Sequence, residues 1–440
     1  MRVKRVFLFF LLIFTFSFIS CGEVYYIKTD GYSTKIRGGL GLISTQQEIK
    51  LGKSYIPLAV EQNEGLYPDK YVQEYVNRVG LKIAKYTPRK LPYRFYVVNS
   101  GVVNAFALPG GYIFVNRGLI LVLQNESQLA GVLAHELGHV NARHHVKFME
   151  KMMGVNLLYN ILGGIIGKKE YGKVLLQFGS IGVKLLSLKW SREQEREADK
   201  LGILFSYKAG YDPNGLLETF VIFQKLGKIN RPEWLLSHPL PQHRYAEVKR
   251  IIKRLRYKPN LIKDSKEFHR IKKRVLSTKK SYDLYYLALK ELGKKTPNTI
   301  RALNYLNQSI KIFPRNNASL TLRALIYAKN REFRKAVYDS VKACSIDKLY
   351  FSPHFIAGYS YFYLKDYKKA LLYLNQARRL IPQNPDTYYY IGRIYEERKN
   401  YSIAIRYYRQ ALSLATGKEE WLNDLKVRLK RLEGRVKNSI

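Results

Sequence analysis

The chain has 440 residues, with 76 Lys and Arg against 34 Asp and Glu, for a formal net charge of +42. Hydrophobic residues make up 46% of it, which excludes a disordered chain because packed cores can form. Two cysteines exclude a disulfide scaffold and a cysteine-based zinc framework. The length suggests two or three domains, and the charge raises nucleic acid or an anionic membrane surface as partners.

Met1 to Arg5 is basic, and Val6 to Ile19 is an apolar run broken only by Thr15 and Ser17. That run is too short for a membrane span and suits a signal-peptide core. Ser20 followed by Cys21 resembles a bacterial lipobox, so residues 1–20 are expected to be a lipoprotein-type signal with Cys21 as the lipidation site. Residues 21–40 are expected to be a tether. Export argues against nucleic acid.

From Gln46 to Thr87 the apolar residues recur at helical spacing. Tyr93–Val98, Gly101–Leu108 and Tyr112–Val115 are expected to be strands, with Pro109-Gly110-Gly111 as a turn. Asn125 to Gln128 opens a long apolar helix expected to run through Val146, with Asn125 or Ser127 as its cap. This helix holds His135-Glu136-Leu137-Gly138-His139. Two histidines four residues apart share one helix face and can grip one Zn²⁺. Glu136, beside the first, is placed to take a proton from a water that the metal activates. Gly138 leaves room for the metal or for close helix packing.

Residues 151–189 are rich in Gly and Leu and are expected to be core helices or a lid over a cleft. Ser191 to Lys208 is a second strong helix carrying Glu193, Glu195, Glu197 and Asp199. A catalytic metal site needs a third ligand. Glu195 and Asp199 stack at i,i+4, but so do Glu193 and Glu197, and spacing alone does not choose between the pairs. Arg244 to about Leu276 is expected to be helical and is very basic.

The remainder repeats with a period of 34 residues. Gly392, Tyr395, Ala404 and Ala411 recur as Gly358, Tyr361, Ala370 and Ala377, and again as Ala324, Tyr327, Ala336 and Ala343. Pro382 and Pro314 close their repeats. This pattern resembles tetratricopeptide (TPR) repeats, with a more degenerate copy from Tyr282 and a cap helix from Glu419. Such solenoids bind peptides or proteins on a concave face.

Four segments carry a further resemblance: Asn104-Ala-Phe-Ala-Leu-Pro-Gly-Gly-Tyr-Ile-Phe-Val115, His135 to His139, Ser191 to Asp199, and Ser237-His-Pro-Leu-Pro-Gln-His-Arg244. In this order they look like the HtpX/BepA-type (YfgC-like) zinc metallopeptidases, gluzincins related to the CAAX prenyl proteases. The resemblance covers roughly Leu40 to Arg256, and with the repeats it extends over nearly the whole mature chain. It implies that one Zn²⁺ per chain is held by His135, His139 and Glu195, with Asp199 orienting a ligand histidine. It implies that His238 stabilises the oxyanion or occupies the open metal position at rest. It implies that Arg244 holds the same loop or meets the substrate carbonyl. Asn104, Gly110 and Gly111 would belong to an edge to which an extended substrate adds. His144, His145 and His243 are read as structural or solvent-facing.

The expectation is an α+β gluzincin-type metallopeptidase domain, mainly helical with a small β-sheet, over residues 41–256. A basic helical linker (257–281), an all-α TPR solenoid (282–417) and a C-terminal cap helix and tail (418–440) follow. The function implied is a zinc endopeptidase of the bacterial envelope acting in outer-membrane protein quality control. Its partners would be polypeptide substrates, the assembly machinery or other proteins through the repeats, and an anionic membrane or envelope surface. The place implied is the periplasm, lipid-anchored to the outer membrane or soluble. A non-proteolytic TPR scaffold or chaperone is the competing reading. Nucleic-acid binding rests on charge alone, since no zinc finger, helix-turn-helix or RNA-binding signature accompanies it.

Overall fold

The structure is a computed structural model that describes residues 24–29, 32–162, 188–227, 232–239, 242–256 and 258–437. The expected signal sequence and Cys21 lie outside these residues, as does most of the expected lid segment. The described chain forms two compact units. One takes the residues up to Ile56, Asp69–Val97 and Gly101–Val275. The other takes Pro57–Pro68, Val98–Ser100 and Leu276–Ile440.

In the first unit, the segment expected as a tether pairs as an antiparallel hairpin, β1 (Val24–Thr29) with β2 (Tyr32–Arg37). Ile27 and Ile36 are buried. Beyond it, the amides of Leu40 and Ile43 donate to the Glu150 carboxylate. Helices α1 (Thr45–Gln62) and α2 (Lys70–Ala84) follow, α2 burying Val72, Tyr75, Val76, Val79 and Ile83 at helical spacing. Strands β3 (Arg94–Val98), β4 (Ala105–Leu108) and β5 (Tyr112–Asn116) form a sheet of order β3-β5-β4, so β4 is an edge strand. The β4–β5 turn uses Gly110 and Gly111 at positive φ, which favours glycine. Gly110 N donates to Glu48 Oε1, and Gly111 O accepts from Arg94 N. These glycines are thus committed to the turn and are not part of an open edge.

After the short α3 (Arg117–Val122), α4 (Glu126–Asn141) forms the centre of the unit. Asn125 caps it by accepting from Gln128 N, and every one of its residues is buried. It packs against α2, β4 and β5, and against α6 (Arg192–Lys208) and α7 (Asn214–Gly227). The helix expected to continue through Val146 stops at Ala142. Arg143 adopts φ 55°, donates to Ile43 O and ion-pairs with Glu48, and α5 (His144–Leu162) starts afresh. Partners a hundred residues away hold that break. Helix α6 opens on a capping box formed by Ser191 and Gln194.

The basic stretch expected as one long helix and linker is two helices. After α8 (Trp234–Ser237) come α9 (Gln242–Arg254) and α10 (Lys266–Ser277), separated by a loop with Pro259 and a left-handed Asn260. Phe268, Ile271 and Val275 of α10 are buried, so this helix is part of the first unit's body.

The second unit is a run of antiparallel helix pairs: α11 (Lys279–Leu292) with α12 (Thr299–Ile312), α13 (Asn317–Lys329) with α14 (Phe333–Ile346), α15 (Phe351–Tyr363) with α16 (Tyr367–Leu380), and α17 (Pro385–Glu397) with α18 (Tyr401–Leu414). The small residues of the repeat are buried between paired helices, while Tyr361 stacks on Tyr373 and Tyr395 on Tyr407. Left-handed residues recur at the repeat period as Arg331, Lys365 and Lys399, each turning the chain from one helix into its partner. Helix α19 (Leu422–Lys437) covers the last pair with Leu425, Leu429 and Leu432. Among the described residues, no helix is long and apolar enough to cross a membrane.

Helices α4 and α6 approach backbone to backbone. A Cβ on Gly138 would lie 2.6 Å from Ala198 O and 2.9 Å from its Cα, and one on Gly202 would lie 2.9 Å from His135 N. Gly138→Ala must therefore push the helices apart, and a loss of about 1–3 kcal/mol of stability is expected. Gly434→Ala, where an added Cβ meets open space inside α19, is the control and should be neutral or slightly stabilising. Denaturant midpoints of the two variants check this.

Candidate metal centre

The α4–α6 contact sets His135 and His139 opposite Glu195 and Asp199. His135 Nε2 and His139 Nε2 face each other at 3.1 Å. Glu195 Oε1 lies 3.3 Å from His139 Nε2, and Glu195 Oε2 lies 3.7 Å from His135 Nε2. The loop after α8 adds His238, whose Nδ1 is 2.8 Å from Glu195 Oε1 and 3.3 Å from His135 Nε2. His135, His139, Glu195 and His238 are all buried, and their donor atoms lie within 4.8 Å of one another. Four donors about 2 Å from one zinc at tetrahedral angles stand about 3.3 Å apart. The spacings here match such a set.

The donor chemistry fits a cation as well. His135 Nδ1 lies 2.9 Å from Asp199 Oδ1, and His139 Nδ1 lies 2.9 Å from His144 Nδ1. In the tautomer whose Nδ1 proton points to these partners, each ring turns a bare Nε2 inward. Two lone pairs and a carboxylate then converge in a buried site, an arrangement that repels itself unless a cation sits among them. Metal dependence follows from this donor set.

The surrounding charges reinforce it. Burial works against the Glu195 carboxylate, yet His238, His139 and Arg244 hold its pKa well below the usual range. Burial likewise opposes Asp199, but Arg244 and His135 keep it ionised. Burial pushes His139 well below the ordinary imidazole value. For His135 burial is outweighed by Asp199, Glu195 and Glu136, and its pKa rises. Glu136 is raised by burial, against the pull of His238 and His135. Its Oε1 accepts from Trp234 Nε1 at 3.4 Å and lies 3.7 Å from His238 Nε2.

The ambiguity between the two carboxylate pairs of α6 ends here. Glu195 and Asp199 face the histidines, Glu193 is exposed, and Glu197 reaches His144 instead. Arg244, expected among the catalytic residues, is 1% exposed and fully engaged. It binds both oxygens of Asp199 at 2.8 Å, Glu195 Oε2 at 2.6 Å and Pro239 O at 2.6 Å. Of its two expected roles, holding the loop is the one the geometry supports; the guanidinium has no face left for a substrate carbonyl. Asn104 opens the edge strand β4, and its buried Oδ1 has no hydrogen-bond partner among the described residues. His243 is exposed. His144 and His145 are both buried, so the solvent-facing option fails for them; burial pushes His145 down to about 3, leaving it neutral.

Two tryptophans are absent from the sequence-based expectations. Trp234 stacks on His238, with ring centroids 4.6 Å apart and planes 18° apart. Trp190 covers His139 at 4.8 Å and meets His145 edge-on at 4.8 Å. The chain has only three tryptophans, and two of them stand within a few residues of the motifs Ser191–Asp199 and Ser237–Arg244. That rarity was the available signal.

Residues 68–252 match the family described as Peptidase family M48, and residues 352–384 and 385–417 each match a tetratricopeptide repeat. The chain is 31% identical over 246 residues to the beta-barrel assembly-enhancing protease of Escherichia coli K12, covering 53% of this chain and 49% of that protein. It is 34% identical over 152 residues to the mitochondrial metalloendopeptidase OMA1 of Arabidopsis thaliana, covering 34% and 29%. It is 30% identical over 161 residues to the metalloprotease LoiP of E. coli K12, covering 36% and 62%. The chain spans about half the length of the assembly-enhancing relatives it matches.

Because the pKa of Asp199 is depressed in the fold, its pairing stabilises the protein above the ordinary carboxyl range and is lost as pH falls through the lowered value. Asp199→Asn leaves Arg244 buried with one fewer partner. In metal-free protein it should cost about 3–5 kcal/mol at neutral pH, with the penalty shrinking below about pH 4. Denaturation curves of wild type and variant across pH 3–8 measure it.

Proposed function

Taking residues 68–252 as an M48 peptidase domain with TPR repeats behind it, we propose that this chain is a zinc-dependent endopeptidase of the bacterial cell envelope. It would hydrolyse peptide bonds of misfolded or stalled envelope and outer-membrane proteins, with the repeats docking substrates or assembly partners. The observation that carries the reading is the convergence of two bare imidazole nitrogens and the Glu195 carboxylate beside Glu136. The name of the E. coli relative, a protease that enhances β-barrel assembly, supports the choice of substrate class.

In this reading His135, His139 and Glu195 hold one zinc ion. When bound, zinc supplies Lewis acidity toward the attacking water and the scissile carbonyl. Glu136 acts as the general base. Its carboxyl is raised by burial toward the working pH, and Trp234 Nε1 fixes one of its oxygens. The carboxylate takes the proton of the attacking water and then delivers it to the departing amide nitrogen. His238 stands with Nδ1 among the ligand atoms, which favours its role as a resting fourth donor over that of an oxyanion donor. Arg244, through Pro239 O, fixes the loop that carries it. Edge strand β4 is the strand to which an extended substrate would add, with Asn104 Oδ1 as an unpaired acceptor before its start.

The amino-terminal pattern supports export, with Cys21 as the lipid attachment point at the outer membrane and a soluble periplasmic form as the alternative. The net charge of +42 suits a protein that works against anionic lipid or envelope polymer. The scaffold reading draws on the repeats alone, and Glu136 beside the ligands has no use in it.

Glu136→Gln should leave one zinc per chain bound and lower the rate of peptide hydrolysis by about 10²–10⁴-fold. The assay is cleavage of an unfolded outer-membrane β-barrel protein by the purified full chain. Equal cleavage by wild type and variant would reject the enzyme reading, and loss of zinc from the variant would reject this role for Glu136.

A further inference from the structure

The break at Arg143 returns His144 to the last turn of α4. Its Nδ1 lies 2.9 Å from His139 Nδ1, and its Nε2 lies 3.1 Å from Glu197 Oε2. Nothing in the reaction described above uses His144 or Glu197, yet His144 is completely buried against a ligand histidine.

The two Nδ1 atoms share one proton, which leaves two arrangements of neutral rings. In the first, His144 Nδ1 donates to His139 Nδ1. The proton of His139 then sits on Nε2, which can give no lone pair to a cation, and the bare Nε2 of His144 meets a carboxylate oxygen, acceptor against acceptor. In the second, His139 Nδ1 donates, His144 Nδ1 accepts, and His144 Nε2–H donates to Glu197. Both contacts of His144 are then hydrogen bonds, and His139 Nε2 is bare where it faces Glu195, free to give its lone pair to a cation. The carboxylate of Glu197 selects the second arrangement. Lys147 Nζ, 3.7 Å from Glu197 Oε2, favours the ionised carboxylate, and the Trp190 ring lies against both imidazoles.

We propose that His144 and Glu197 are positioning residues for the metal, a two-residue relay that fixes the tautomer and ring orientation of His139. The proposal rests on the reading of His135, His139 and Glu195 as ligands. The two histidine ligands are therefore supported unequally. His135 leans directly on Asp199, itself clamped by Arg244. His139 leans through a neutral ring on a carboxylate whose side chain is 30% exposed. His139 is the softer arm of the site, since the carboxylate at the end of its relay is the part-exposed one.

Zinc dissociation constants of the purified full chain, measured by competition with a chromophoric chelator, test the relay. Melting of the metal-free proteins checks folding, and the visible spectrum of Co²⁺-loaded protein reports ligand geometry. His139→Ala tests the ligand reading and should abolish tight binding. His144→Leu should weaken zinc about 10- to 100-fold and alter the cobalt spectrum. His144→Asn, whose Oδ1 can accept the His139 proton, should recover most of the affinity, and Glu197→Gln should weaken binding by less than His144→Leu. If His139→Ala binds zinc like wild type, the ligand reading fails. If His139→Ala loses zinc while His144→Leu stays within about twofold of wild type, the relay fails alone. Should His144→Leu not fold, a wild-type affinity and cobalt spectrum in Glu197→Gln would overturn it.

Discussion

Helices α4 and α6 lie against each other with no side chain between their backbones at two points, Gly138 against Ala198 and Gly202 against His135. The rest of the first unit depends on this contact. The donor atoms of His135 and His139 project from one helix, those of Glu195 and Asp199 from the other, and they meet at hydrogen-bonding distances only because the axes approach this closely. A methyl group at either glycine must push the two helices, and with them the donors, apart. The complete burial of α4, with sheet, α2 and α7 around it, keeps the helix from sliding to relieve the strain of four converging polar groups.

Burying so many ionisable groups is costly unless each has a partner. Here the charges are nested. Glu195 and Asp199 share Arg244, which also fixes the loop bearing His238 through Pro239 O. One guanidinium thereby ties Glu195, Asp199 and the loop bearing His238 into a single rigid set. The planar fork of arginine suits this role, since it meets Asp199 through two nitrogens and Glu195 through a third.

Much of this was legible from residues alone because local periodicity decides it. The H-E-x-x-H spacing places two imidazoles on one face of any helix, and the 34-residue period, with small residues at fixed points, becomes helix pairs whose seams take those residues. What escaped was set by distant partners. The end of α4 depends on Arg143 reaching Ile43 and Glu48, so no local pattern marks it. The place of His144 follows from that turn, so no local pattern marks it either. The choice of Glu195 over Glu193 is invisible to spacing and follows from the rotation of α6 about its axis. The hairpin at residues 24–37 is a different case: Val24-Tyr-Tyr-Ile and Tyr32-Ser-Thr-Lys-Ile around Gly31 carry a strand signal that the tether reading passed over. In the basic stretch, Pro259-Asn260 marked the break between α9 and α10. Of the net charge of +42, the site holds the one buried guanidinium of Arg244.

The α4–α6 contact gathers nitrogen and oxygen donors that suit a metal ion, and the function proposed above makes that ion one zinc. X-ray absorption at the zinc edge on the purified full chain tests it most directly. The account predicts one zinc per chain, with a first shell of nitrogen and oxygen at about 2.0–2.1 Å, imidazole scattering from at least two histidines and no sulfur. A chain that retains no zinc at one equivalent, or a shell containing sulfur near 2.3 Å from Cys344, would contradict it.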